Sequence, residues 1–242
     1  METFLPILLA PIVGSLLGVL IRRLPAGRPV AIARSCCETC HRPLRWHELI
    51  PLASYLWLRG RCGRCGAPIG RFHPAVELAA VAVAAWAVLA AAEPQQALAN
   101  ALLGWVLLAL AWIDAGHFRL PDVLTLPLIV AGLVATWLSE PWMLAGHAAG
   151  AIAGYLLFRL LAAAFRRWRG HDGLGLGDAK LLAAGGAWVG LGALPMVISI
   201  AALAGIGWIA LRRGDRHRAI PFGPFLALGI WLLRLHGDLM LP

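Results

Sequence analysis

A chain of 242 residues that is 60% hydrophobic, only 14% charged and of mean hydropathy +0.77 is too apolar for a water-soluble domain. Its net charge of +9 does not point to nucleic acid, because the arginines collect in the connections between apolar runs. The pattern predicts an all-α membrane protein, a polytopic bundle of about eight transmembrane helices with one small polar loop domain on the cytoplasmic side.

The first apolar run covers residues 4–22. It has no basic residue before it and two after it, Arg22 and Arg23, so it reads as a retained span rather than a cleaved secretory signal. A single long polar segment follows, up to His73, and it holds all five cysteines. Two C-x-x-C pairs, Cys37/Cys40 and Cys62/Cys65, stand 21 residues apart. That is close to zinc-ribbon spacing, and four thiolates suit a closed tetrahedral Zn²⁺ site that staples a fold and performs no chemistry. Gly63 and Gly66 suit the tight turn of such a knuckle. Cys36 is left over as a free thiol or as an alternative to Cys37, while His41 and His47 are weaker ligand candidates beside four thiolates. Between the pairs lies "LIPLASYLWL", whose apolar face either packs beneath the knuckle or lies on the membrane, with packing the expected role of Tyr55 and Trp57.

Seven further runs lie near 74–92, 97–113, 121–138, 143–165, 179–193, 195–211 and 220–236. Glu77, early in the second span, has no basic neighbour in sequence and needs a polar partner from elsewhere. The third span ends at Asp114, and the fourth begins near Asp122, which has the position of a helix cap. The sixth begins just after "GLGLGDAK", which contains Asp178 and Lys180. Asp178 taken alone reads either as a residue at a helix start or as a functional acid. Taken with Asp114 at the same expected depth, it forms a candidate carboxylate dyad, in which one acid keeps a proton while the other activates water against an amide. His117 reads as a solvated loop residue rather than a catalytic base, and His147 is read in a similar way; Lys180 either counters the charge of the dyad or, as the favoured reading, is a lipid-facing or structural cation.

Ten arginines fall between Arg22 and Arg71, and others stand at Arg166, Arg167 and Arg169 and at Arg212, Arg213, Arg216 and Arg218. The connections near 93–96, 139–142 and 192–195 carry no basic residue. With eight spans, every basic loop then lies on one side, the cytoplasmic one, and both termini lie outside. Arg234, within the last span, is expected to snorkel.

The ordered motifs resemble those of the type IV prepilin peptidases: "GSLLGVLIRRLP", the two C-x-x-C knuckles, "IPLASYLWLRGRC", "HPAVEL", "IDAGHFRLPDVLT", "GLGLGDAKLLAAGGAWVG" and "IPFGPFLALG". The resemblance implies an aspartic intramembrane protease of the GxGD type, with its two catalytic aspartates at Asp114 and Asp178 and its zinc ligands at Cys37, Cys40, Cys62 and Cys65. It further implies substrates, prepilins or type II secretion pseudopilins, whose short basic leader is cut after a glycine on the cytoplasmic face of the inner membrane. S-adenosylmethionine-dependent N-methylation of the new terminus goes with the family, though no residue is assigned to that cofactor. The chain departs from the family at Leu16-Leu17-Gly18, Glu38 and Leu49, none of which belongs to the dyad.

The expected organisation is a first span at 1–22, a zinc-binding loop domain at 23–73 and a multi-span peptidase domain at 74–242, with membrane lipids as partners and no nucleic acid. The residues alone also leave open a transporter with buried acids or a non-enzymatic membrane assembly factor.

Overall fold

The computed structural model describes residues 2–30, 34–170, 175–211 and 220–240; Gly173 and the arginines between 212 and 218 lie outside them. The described residues are helical and contain no strand beyond two isolated bridges. In chain order the helices are α1 (Leu5–Arg23), α2 (Ala53–Trp57), α3 (Phe72–Leu89), α4 (Pro94–His117), α5 (Asp122–Ser139), α6 (Leu144–Arg169), α7 (Leu176–Val189), α8 (Leu194–Leu211) and α9 (Gly223–Met240). All but α2 fall on the eight apolar runs. Six helical stretches are long and apolar enough to cross a membrane: 2–23, α3, α4, α5, 141–169 and α8. The exceptions are α7 and α9. With 14 residues, α7 is about 21 Å long at 1.5 Å per residue, short of a hydrocarbon core of about 30 Å.

The helix ends follow local chemistry. Pro121 stands in extended backbone just before α5, and Gly170 and Gly190 take positive φ where α6 and α7 stop. The chain divides into two compact units, Met1–Trp105 and Val106–Pro242.

In the first unit α1 packs on α3. A Cβ on Gly14 would come 2.6 Å from the Glu77 Cα, and one on Gly18 would come 2.7 Å from the His73 ring. Rising numbers on α1 meet falling numbers on α3, so the pair is antiparallel. This is a small-xxx-small contact, the kind that lets membrane helices approach closely. Arg22 at the end of α1 ion-pairs with Glu38, and its guanidinium lies 4.6 Å from the centre of the Phe72 ring at the start of α3. Trp105 Nε1 donates to the Ala80 carbonyl at 2.9 Å, which seats the first half of α4 on α3.

In the second unit α7 is the core. It packs on α5, α6, α8 and α9. Ten consecutive residues from Ala179 to Trp188 include nine that are buried, and Asp178 before them is buried too. A helix buried on all sides by other helices needs small side chains, and "LLAAGGAW" supplies them. The tightest approach is to α6, where a Cβ on Gly186 would overlap the Gly150 carbonyl. Gly186→Ala is therefore expected to cost about 1–3 kcal/mol or more as an overpacking change. Thermal unfolding of the purified variant in detergent measures it, and an unchanged midpoint would contradict the packing.

Between α1 and α3 the two knuckles share one design. In the first, the Cys37 N–H donates to the Arg42 carbonyl at 3.0 Å and the His41 N–H to the Cys37 carbonyl at 2.9 Å. In the second, the Cys62 N–H donates to the Ala67 carbonyl at 2.8 Å and the Gly66 N–H to the Cys62 carbonyl at 3.0 Å. His41 (φ 53°) and Gly66 (φ 69°) occupy the same left-handed position, so Gly66 supplies the expected turn glycine while His41 holds that position in the first knuckle. A 3-10 turn at Trp46–Leu49 and the five-residue α2 fill the space between the knuckles. Tyr55 packs as expected, its ring against Gly60. Trp57 does not: it is 85% exposed, because no element among the described residues covers the end of so short a helix.

Candidate functional site

Two groups of chemistry-bearing residues stand out, one in each unit. In the first unit the Sγ atoms of Cys37, Cys40, Cys62 and Cys65 all lie within 4.8 Å of one another, and Cys37 and Cys65 are 3.9 Å apart. Thiolates at about 2.3 Å from a tetrahedral ion stand about 3.8 Å apart, so the cluster can hold a metal ion. Cys36, His41 and His47 are not part of it.

Backbone amides aim at these sulfurs. The Cys62 thiol is lowered to about 6, first by the N–H groups of Cys65 and Arg64. Cys37 is also lowered, by those of Cys40 and Thr39. Cys65 also accepts a lowering hydrogen bond, from Ala67, but burial and its neighbouring thiols outweigh it and push this thiol up to about 11. Four clustered sulfurs cannot all ionise without a cation, and that is the condition a metal relieves.

A strut that the sequence did not reveal braces the cluster. Arg42 contacts Cys62 and donates to Glu48 Oε1 at 2.5 Å, while Glu48 Oε2 accepts the Arg45 N–H at 2.7 Å. Both side chains are largely buried, and Glu48 stays ionised because the Arg45 amide and the Arg42 guanidinium lower it. A Cβ on Gly63 would come 2.9 Å from that carboxylate, so the second knuckle needs its glycine for the strut rather than for the turn.

Glu77 finds the polar partners it required. Buried in α3, it accepts the Leu52 N–H at 2.8 Å and a hydrogen bond from the Ser15 side chain. Leu52 has a positive φ of 58°, which a branched residue holds only when its surroundings fix it.

In the second unit the structure brings Asp114 and Asp178 together. Both are buried, at 6% and 9% exposure, and each lies within electrostatic range of the other. Asp114 sits one turn before the end of α4, and its Oδ2 accepts the N–H of Gly223, the first residue of α9, at 2.9 Å. Asp178 lies in the first turn of α7 and is hydrogen-bonded to the backbone of Gly175, the residue that caps that helix. Each carboxyl thus has a backbone donor at a helix N-terminus, where exposed amides favour an anion. The cap position belongs to Gly175, so the simple reading of Asp178 as the capping residue does not hold.

The approach to α7 is close as well. A Cβ on Gly177 would come 2.8 Å from the Leu120 Cβ, so this glycine makes room for the 118–121 connection. Beside it, Lys180 Nζ donates to Asp122 Oδ1 at 2.5 Å, which gives Lys180 a partner that the sequence did not suggest. The pair ties the start of α5 to the first turn of α7. Asp122 is 57% exposed, so replacing either partner by its neutral analogue is expected to cost at most about 1 kcal/mol, read as a shift in thermal unfolding. His147 is held between neighbouring helices rather than solvated: its Nδ1 lies 3.1 Å from the Thr136 hydroxyl and 3.0 Å from the Ala187 carbonyl. The Arg234 guanidinium lies 5.7 Å from the centre of the Trp188 ring.

Comparison with known proteins finds relatives along the chain. The model for the bacterial peptidase A24 N-terminal domain matches residues 8–91, and that for the type IV leader peptidase family matches residues 101–210. A prepilin leader peptidase/N-methyltransferase of Aeromonas hydrophila is 45% identical over 211 residues, covering 86% of this chain and 73% of the relative. Proteins of the same name from Burkholderia pseudomallei (strain 1026b) and Pseudomonas aeruginosa are 41% and 38% identical, over 95% and 96% of this chain and 84% and 89% of theirs. No solved structure matches the chain. With relatives this similar along nearly its whole length, the chain belongs to the type IV leader peptidase family, as an enzyme of multi-pass membrane architecture.

Proposed function

We propose that the chain is an aspartic endopeptidase of the bacterial inner membrane that removes the basic leader from prepilins or pseudopilins after a glycine, on the cytoplasmic side, and then N-methylates the new terminus. The observation that carries this reading is the pair of buried carboxyls, Asp114 and Asp178, within range of each other in one helical unit. Two such groups share one proton. The ionised member takes a proton from water as that water attacks the scissile carbonyl, and the protonated member hydrogen-bonds the carbonyl oxygen. The tetrahedral species then collapses as the leaving amine receives a proton, and no covalent enzyme intermediate forms. The Gly223 amide holds one oxygen of Asp114, which fixes the carboxyl's orientation during that exchange.

In the same reading, residues 1–22 are the first span, 23–73 the metal-binding loop and 74–242 the peptidase part. Cys37, Cys40, Cys62 and Cys65 hold a structural Zn²⁺, supported by the sulfur spacing given above. The methyl donor, S-adenosylmethionine, carries a fixed positive charge. The loop cavity, lined by Arg34, Arg42 and Arg45 among others, does not suit it, so no residue is assigned to the donor.

The test is incubation of the purified protein with a peptide carrying a basic leader, a glycine and an apolar segment, read by mass spectrometry with labelled S-adenosylmethionine present. The expected result is one cut after the glycine and label on the product. An uncut peptide would overturn the peptidase reading, and a cut but unlabelled product would remove methylation.

A further inference from the structure

Apolar side chains outside the spans belong in a core or against a partner. Between α1 and α3, Trp46, Leu49, Leu56 and Trp57 are 79%, 46%, 75% and 85% exposed. They stand on the 3-10 turn and on α2, two short helices that pack on one another. The metal cluster and the Arg42–Glu48 strut brace the platform that carries them.

The surroundings of this apolar surface are strongly basic. Residues 22–73 hold ten arginines against two acids, Glu38 and Glu48, which gives +8 with the histidines neutral. Arg34, Arg42 and Arg45 line a cavity of about 820 Å³ together with Trp46 and His47. An aromatic and aliphatic surface beside arginines is the composition that lies at a lipid–water interface.

Both ends of the loop are also fixed to the membrane pair. Because α1 and α3 are antiparallel neighbours, the loop leaves and returns at the same end of that pair, where Arg22 meets both Glu38 and Phe72. The platform is therefore held permanently beside one membrane surface.

We propose that the loop domain docks on that surface: Trp46, Leu49, Leu56 and Trp57 enter the interfacial region of an anionic bilayer, and the cavity of Arg34, Arg42 and Arg45 receives a lipid phosphate headgroup. Charge selects this occupant over a basic leader segment, which a domain of +8 repels. The tether selects it over a soluble acidic protein, because lipid is present at that position before any partner arrives. The inference does not depend on how the aspartates act.

The experiment places the full chain in nanodiscs of phosphatidylcholine alone or of phosphatidylcholine with phosphatidylglycerol. The rate of tryptic cleavage at Arg59, Arg61 and Arg64 is followed by mass spectrometry. The expected result is cleavage several-fold slower in the anionic discs, with the difference lost at high salt, in the double variant Leu56→Ser/Trp57→Ser and in Arg34→Gln/Arg45→Gln. Metal content equal to that of the parent protein shows that each variant keeps its loop fold. Equal rates in the two discs, or protection that survives Leu56→Ser/Trp57→Ser, overturns the proposal. So does equal protection by free inorganic phosphate in neutral discs, or protection that requires an added prepilin.

Discussion

Asp114→Asn and Asp178→Asn are each expected to lower leader cleavage by at least about 10²–10⁴-fold, the range that general acid–base groups contribute. The two substitutions should be equally damaging and, combined, no worse than either alone, because a shared proton is a property of the pair. Asparagine keeps the size of the side chain and keeps an oxygen for the Gly223 amide at position 114, so loss of fold does not explain a loss of rate. Unfolding midpoints should therefore stay near that of the parent, which the same preparations can show. Cleavage persisting at parental rate in either single variant would remove the dyad and return these acids to a structural role.

The second large effect concerns the metal cluster. Cys37→Ser and Cys62→Ser remove one thiolate from each knuckle, and each is expected to reduce bound zinc to a small fraction of the parent's, measured by elemental analysis after dialysis. Structural zinc contributes about 10–16 kcal/mol in isolated finger peptides, and this loop has few buried side chains to replace it. The loop should then become rapidly cleaved by protease while the second unit stays intact. Cys36→Ser is the control, since Cys36 lies outside the cluster, and its zinc content should be unchanged. Loss of zinc in Cys36→Ser with retention in Cys37→Ser would exchange their assignments.

The comparison of sequence and structure divides along the range of each interaction. The helices on the eight apolar runs were legible because each segment carries its apolar pattern within itself, and for six of them that pattern is long enough to cross lipid. The two acids stood out for the complementary reason that a carboxyl beside an apolar run is costly, and the structure buries both. The metal knuckles were legible through local spacing. What escaped was set by contacts between distant segments. The Gly223 amide meets Asp114 across 109 residues, and Lys180 meets Asp122 across 58, and neither leaves a periodic trace. "IPFGPFLALG" was visible as a motif, but nothing in it says that its glycine offers a hydrogen bond. Trp57 failed in the opposite direction, since an aromatic residue near apolar neighbours reads as core until a three-dimensional neighbour is found missing.

Helix α7 has a consequence for how the protein is made. At 14 residues it offers a translocon too little apolar length to be released into lipid alone, and its Ala- and Gly-rich surface partitions weakly. Its place in the bilayer comes from α5, α6, α8 and α9, which cover it. Two of those four lie downstream in the chain, so α7 waits for helices not yet synthesised before it is enclosed. The covering of α7, which carries Asp178 on its first turn, is therefore complete only when α8 and α9 have both been made.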